Sequence, residues 1–385
     1  MRCKSTSSIN TDGYRAGSEL GEALREVSPE VVLVFASINY DDQFRDLFDG
    51  LRDALDAPKT VIFGGTSDGI YETDRVAHYG VSALGLNSDG AVRWSTHLET
   101  GVDADSCEAA RKCAQRVTED LGGEVDFAFA FADGVKADGS RIVAGLSKVL
   151  TTPFVGGLAG DDRKFLKSRI FLNGEVHEDA VALLGARGPI SFIVNSASGW
   201  KPVGRTGVVE ATDGSTLERI SGMTPQAFMR EQIGKVPGET DLGIVPLATY
   251  DTKGHGHYFL RTPSGFDPAT GSATMFGSLE KDTEVRVCTA TRDDVLRAVE
   301  DAMRGTKRAD FEPCGALLVS CAGRKWLLEE GTSAEVEKVL DAVGRRIPLV
   351  GLPSFGEIGP FVDDAGTYTP SFFHNVTFVV CLFGA

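Results

Sequence analysis

One unit recurs three times along this chain: a continuous apolar strand, an amphipathic helix, and a second strand that runs out into glycines. Each copy takes roughly 30 to 35 residues. Two strands joined this way need a helix to return the chain, so the copies predict parallel pairs in a sheet. The first copy opens with Val31-Val32-Leu33-Val34-Phe35, a run suited to a strand covered on both faces. Phe44, Leu47, Phe48, Leu51 and Leu55 follow at helical spacing, with Asn39 and Asp41 as candidate N-caps. Val61-Ile62-Phe63 then enters Gly64-Gly65-Thr66-Ser67-Asp68-Gly69.

The second copy runs from Phe127-Ala128-Phe129-Ala130-Phe131 through Asp133-Gly134 and a helix bearing Ile142, Val143, Leu146, Val149 and Leu150, and ends at Phe154-Val155-Gly156-Gly157. The third starts at Ala316-Leu317-Leu318-Val319, passes Cys321-Ala322-Gly323-Arg324, and predicts a helix bearing Val336, Val339, Leu340 and Val343 behind a Thr332/Glu335 capping box. Leu349-Val350-Gly351 closes it and leads into Pro353-Ser354-Phe355-Gly356-Glu357-Ile358.

Between the copies, alternating segments at 80–86, 91–98, 170–176, 180–185, 192–196, 257–261, 273–277 and 283–290 predict antiparallel strands, with Asp89-Gly90 and Asn173-Gly174 as hairpin dipeptides. Further helices fit 104–121 and 292–303, and Thr224-Pro225 caps a short helix that Gly234 ends. The predicted class is α/β: mixed sheets built from three βαβ units plus antiparallel meanders, in two lobes. A Gly-, Thr- and Asp-rich stretch over 199–221 places the boundary near 222, giving 1–222 with two units and 223–385 with a meander and one unit.

Composition narrows the function. With 39 basic and 55 acidic side chains in 385 residues, the net charge of −16 opposes both a phosphate backbone and an anionic membrane surface. A 42% hydrophobic content opposes general disorder, and no run of about 18 apolar residues predicts a membrane span. Cys3, Cys107, Cys113, Cys288, Cys314, Cys321 and Cys381 are scattered without CxxC spacing, which argues against a disulfide framework and for a reducing, cytoplasmic setting.

In its ordered motifs the sequence resembles the FIST sensory proteins, with an N-terminal and a C-terminal FIST part. The residues that carry this are Phe63 to Gly69, Phe131-Ala132-Asp133-Gly134, Phe154-Val155-Gly156-Gly157-Leu158-Ala159-Gly160-Asp161-Asp162 and Gly199-Trp200-Lys201-Pro202-Val203-Gly204. In the C-terminal part they are Ser320-Cys321-Ala322-Gly323-Arg324, Gly351 to Ile358, and His374-Asn375-Val376-Thr377. The family pattern usually has Cys and Glu where Gly65 and Ile70 stand, and aromatic residues where Leu352 and Pro353 stand. The resemblance implies a non-catalytic, ligand-binding signal-input protein for an amino acid or other small carboxylate. It also implies a separate signalling partner such as a histidine kinase, a chemoreceptor or a cyclic-dinucleotide enzyme. Some proteins similar to this family bind haem and respond to nitric oxide.

The candidate ligand residues stand at strand ends, the usual crevice of open α/β sheets. Gly64, Gly65, Thr66, Ser67 and Asp68, and likewise Gly156, Gly157 and Asp161, offer backbone N–H groups and hydroxyls, or else simply make tight turns. Arg324 and Glu357 either clamp a zwitterion or form a structural ion pair. His374 and Asn375 either meet the ligand or satisfy a strand start, and His374 or His78 would be the first axial candidates for haem. Asp133 and Asp162 read as turn caps, and Trp94, Trp200 and Trp326 as core or rim. His255-Gly256-His257 would point two rings one way without a third metal ligand, and no metal site is expected. Cys321 near Arg324 is the one candidate thiolate, the basis of an enzyme alternative.

Overall fold

The computed structural model describes residues 1–238, 241–250, 258–362 and 366–384. The chain is mixed α/β, as expected. The paired histidines His255 and His257 lie outside the described residues.

The strand-helix-strand copies are the centres of larger units. Each unit reads edge strand, helix, strand, helix, strand, hairpin, strand. In the first these are Arg2–Ser8, Gly13–Leu24, Val31–Ser37, Phe44–Leu55, Val61–Ser67, the hairpin of Ile70–Glu72 with Arg75–Ala77, and Val81–Asn87. In the second they are Arg93–Thr100, Val102–Asp120, Phe127–Ala132, Gly139–Leu146, Val155–Leu158, the hairpin of Ile170–Leu172 with Glu175–His177, and Ala180–Arg187. The third has Phe192–Ala197, Arg292–Thr306, Pro313–Cys321, Ser333–Val343, Leu349–Ser354, the pair Glu357–Gly359 with Phe372–His374, and Phe378–Gly384.

Within each unit the two central strands are parallel, Val31 to Ser37 against Val61 to Ser67, Phe129 to Ala132 against Val155 to Leu158, and Ala316 to Cys321 against Leu349 to Ser354. The hairpins leave home. The first unit's hairpin completes the third sheet, the second's completes the first sheet, and the third's completes the second, so three six-stranded sheets of identical order are laced into a ring.

The sheets turn one face to a shared centre, where Phe35, Phe63, Phe129, Phe131, Leu317, Val319 and Leu352 are buried together. The outer faces carry the helices, so every central strand is covered twice, which is why these strands are apolar throughout. On the first sheet the two helices touch closely: a Cβ on Gly17 would collide with the Leu47 carbonyl, and one on Gly50 with that of Tyr14.

Between the edge strand and the helix of the third unit lies an inserted, wholly antiparallel sheet of eight strands, from Lys201–Pro202 to Glu284–Thr289, with the Pro225–Ile233 helix on it. Thr224 caps that helix and Gly234 ends it at φ 74°, as the sequence predicts. Residue 222 falls inside this insert, while Phe192–Ala197, before it, pairs with Phe378–Gly384 at the other end of the chain.

Three local expectations are corrected. Thr332 and Glu335 make no capping box, since the Glu335 carboxylate is drawn inside to Arg324 and the Thr332 hydroxyl donates to Glu329 O; the capping box is Thr291 with Asp294. Asn39 and Asp41 do not cap the first copy's helix, because a 3-10 turn, Ile38–Gln43, precedes it and Asp41 pairs with Lys167 and Arg169. Asp89-Gly90 is a turn with both residues left-handed, yet its flanking strands belong to different sheets. Asn173-Gly174 does close a hairpin.

Candidate functional site

The carboxyl ends of the three second strands meet and hydrogen-bond in a ring. Gly160 N–H donates to Thr66 O at 3.0 Å, Asp68 N–H to Pro353 O at 3.0 Å, and Phe355 N–H to Leu158 O at 3.0 Å. Gly64, Gly65, Gly156 and Gly157 are thus not turn residues as the sequence suggested: they lie inside the paired strands, and the amides just beyond the strand ends are given to the neighbouring ends. The Thr66 hydroxyl accepts from Arg169 N–H, and the Ser67 hydroxyl donates to Gly69 O. The glycines answer a packing demand: a Cβ on Gly64 would strike the Val34 carbonyl, and one on Gly156 that of Ala130. Gly65 leaves room for the Phe131 ring, and Gly157 for Val319 of the neighbouring sheet.

Arg324 and Glu357 do not form a clamp. Arg324 is fully buried, with Nε 2.8 Å from Glu335 and its terminal nitrogens on the carbonyls of Ser198 at 2.6 Å and Val295 at 2.9 Å. Glu335 in turn accepts from Ser320 and Tyr71, so this ion pair is saturated. Glu357 accepts from the Ser354 hydroxyl at 2.7 Å and Thr377 N–H at 3.1 Å, and burial pushes its pKa up to about 8. Cys321 is buried beside it; burial and then the Glu357 charge hold its thiol well above the usual range, so it is no thiolate at neutral pH.

His374 is buried, with Nε2 2.9 Å from Gly359 O and its ring against Phe361 and Phe372. His78 is exposed beside the first hairpin. Neither setting fits a haem axial ligand. Among the described residues no group of three or more His, Cys, Asp or Glu is placed to hold a metal ion. Asn375 ties the third unit to the insert, accepting from Thr262 N–H at 3.0 Å.

Asp161 holds a loop. Its buried carboxylate accepts four N–H groups, of Lys164, Phe165, Leu166 and Lys167, at 2.6 to 3.1 Å. Within this loop Asp162, Arg163 and Phe165 are all left-handed, at φ 61°, 60° and 53°. Such backbone costs about 1 to 3 kcal/mol per residue and persists where the surroundings impose it. The result is an aromatic cluster in which Phe165 stands 4.8 Å from Phe355, 5.4 Å from Phe276 and 6.1 Å from Trp326, with the Arg163 guanidinium 4.4 Å above the Trp326 ring. Below it the Trp326 indole donates to Asp68 at 2.8 Å, and Lys325 bonds to the Asp68 carbonyl. Burial raises the Asp68 pKa, with Lys325 and Trp326 pulling it back.

Beside this cluster opens a cleft of about 460 Å³. One wall comes from the second unit, Gly134 to Asp138 with Asp103, Leu158 and Phe165, and the other from the insert, Ser215, Ser264 and Thr274 to Gly277. The Asp133 carboxylate shapes the first wall by accepting from Val135, Lys136, Ser168 and Asp179. None of the ligand residues expected from the sequence lines the cleft. Gly134 and Leu158 belong to motifs already singled out, but Lys136, Phe165 and Phe276 carry no local signal, because the facing wall is about 100 residues away along the chain and only the packed insert brings it there.

The architecture is thus a ring of three α/β units with an inserted antiparallel lobe closing over one strand-end face. The chain matches the FIST N domain over residues 30–223 and the FIST C domain over 219–360, and it belongs to the FIST family of signal-transduction sensory domains. It is similar to an uncharacterised protein of Methanocaldococcus jannaschii, 23% identical over 333 residues covering 81% of this chain and 64% of that protein, so it spans under two thirds of that relative. Among solved structures it is similar to a chorismatase, with a TM-score of 0.38 and 9% identity over 100% of this chain and 98% of the other. It is also similar to a cyanuric acid hydrolase of A. caulinodans, with a TM-score of 0.26 and 9% identity over 49% and 70%. No helix among the described residues is long and apolar enough to cross a membrane.

Proposed function

We propose that this chain is a non-catalytic sensor that takes a small amino acid or related carboxylate in the cleft between the second unit and the insert. The observation that carries the reading is that the cleft has one wall from each lobe, so a ligand bound there favours one relative placement of the two. Lys136 supplies a cation for a carboxylate, Asp103 and Asp138 supply anions for an ammonium group, and Phe165, Met275 and Phe276 supply apolar surface. The altered lobe placement is then read by a separate signalling enzyme or receptor, such as a histidine kinase, a chemoreceptor or a cyclic-dinucleotide enzyme. The scattered cysteines support a cytoplasmic setting.

A melting screen against amino acids, organic acids and nucleotides tests this. Ligand at 100 Kd stabilises by about 2.7 kcal/mol, and Lys136→Ala should remove the response to carboxylates while leaving the unliganded melting temperature unchanged. A screen in which no carboxylate shifts the transition would sink the proposal.

A further inference from the structure

We propose that Cys3 and Cys314 form an oxidisable dithiol that a hydroperoxide closes into a disulfide between the first and third units. The two sulfurs lie 3.5 Å apart, 311 residues apart in sequence, and both side chains are half-buried, so solvent and a small oxidant reach them. Gly315 makes the space: a Cβ there would stand 2.7 Å from the Cys3 sulfur.

The ring of sheets gives an internal comparison. Near this end of each edge strand one side chain meets the neighbouring unit. In one seam the Trp94 indole donates to Glu30 at 2.9 Å, in another Phe192 meets Phe127 edge-on at 5.0 Å, and both contacts are redox-inert. The third seam, where the first and last parts of the chain close the ring, has two thiols instead. The thiol–thiol hydrogen bond, and then nearby positive charge including Arg345, lower the pKa of the Cys314 thiol, and Cys314 is taken as the attacking sulfur.

The chemistry balances. The Cys314 thiolate attacks the peroxide O–O bond, giving Cys314 sulfenic acid and, after proton uptake, an alcohol or water. The Cys3 thiol then attacks that sulfur and expels water, so two electrons leave the sulfur pair and reduce the hydroperoxide.

The test uses the full chain, fully reduced and then treated with hydrogen peroxide, alkylated and digested for mass spectrometry. The expected result is loss of both thiols from alkylation and appearance of a Cys3–Cys314 linked peptide, reversed by dithiothreitol. In Cys3→Ser, dimedone should trap Cys314 as the sulfenic acid. A protein in which both thiols stay alkylatable, or oxidise separately with no linked peptide, overturns the proposal. The wild-type result decides this without the variant.

Discussion

Lys325 of the third unit sets its ammonium 3.6 Å from the carboxylate of Asp68 in the first unit, with both side chains almost wholly buried. This pair sits directly under the aromatic cluster and joins two units that the chain brings together only through the ring of sheets. Removing one member strands a buried charge, which costs about 3 to 5 kcal/mol, whereas replacing both can be close to neutral. Lys325→Met should therefore lose about 3 kcal/mol in urea unfolding, and Asp68→Asn with Lys325→Met should recover most of it. Additive losses in the double variant would refute a direct pair.

Glu357 predicts a pH dependence. Its folded pKa of about 8 lies above the ordinary 4.5, so between these values the folded state holds a proton that the unfolded chain has released. The stability from this group is full below about 4.5 and is lost as pH rises towards 8, by up to about 1.4 kcal/mol per pH unit. Glu357→Gln, which keeps a neutral hydrogen-bonding group, should flatten this slope between pH 5 and 8. Equal slopes in the two proteins would show that Glu357 is ionised throughout.

The central strands were legible in the sequence because burial on both faces forces the apolar runs at Val31, Phe127 and Ala316. The hairpin exchange was not, since Ile70 to Ala77 carries no mark of which sheet it joins; that choice is made by three units closing a ring. Gly64, Gly65, Gly156 and Gly157 do stand near strand ends, but inside the paired strands rather than in turns, and local sequence does not reveal that the amides of Asp68, Gly160 and Phe355 bond the neighbouring ends. Arg324 and Glu335 stand eleven residues apart, and only the inward turn of the helix, which takes Glu335 from its capping role, makes them a pair.

The Asp161 loop supplies a third test. Asp161→Ala removes the acceptor of four N–H groups, and bonds to charged groups are each worth about 1.5 to 3 kcal/mol, though not additively. Of the left-handed residues only Phe165 gives its N–H to Asp161, so the turn at Phe165 would then relax, while Arg163 N–H keeps its 2.8 Å bond to the Asp68 carboxylate. The variant should be cut by trypsin at Lys164 and Lys167 much faster than wild type, with Asp161→Asn between the two. Unchanged cleavage would mean that the aromatic cluster and the Arg163–Asp68 bond fix the loop without Asp161.

Arg261 supplies the fourth. It is buried on the insert, where its guanidinium donates to Phe373 O at 2.8 Å and to the Ser140 hydroxyl at 3.1 Å, and lies over the rings of Phe259 and Phe373. These contacts join the insert to the third unit's hairpin and to the second unit's helix, close behind the cleft. Burial lowers its pKa to about 10, still above neutrality, so the side chain stays charged and its bonds are charge-assisted. Arg261→Met keeps much of the apolar stem but loses the bonds to Phe373 O and Ser140, and a third to Leu260 O, which should cost about 2 to 4 kcal/mol and expose the insert before the rest of the molecule. Hydrogen exchange resolves this: Leu247 to Tyr250 and Glu284 to Thr289 should lose protection while the Val31–Ser37 strand keeps it. Uniform loss across all four sheets would show that the insert and the ring unfold as one.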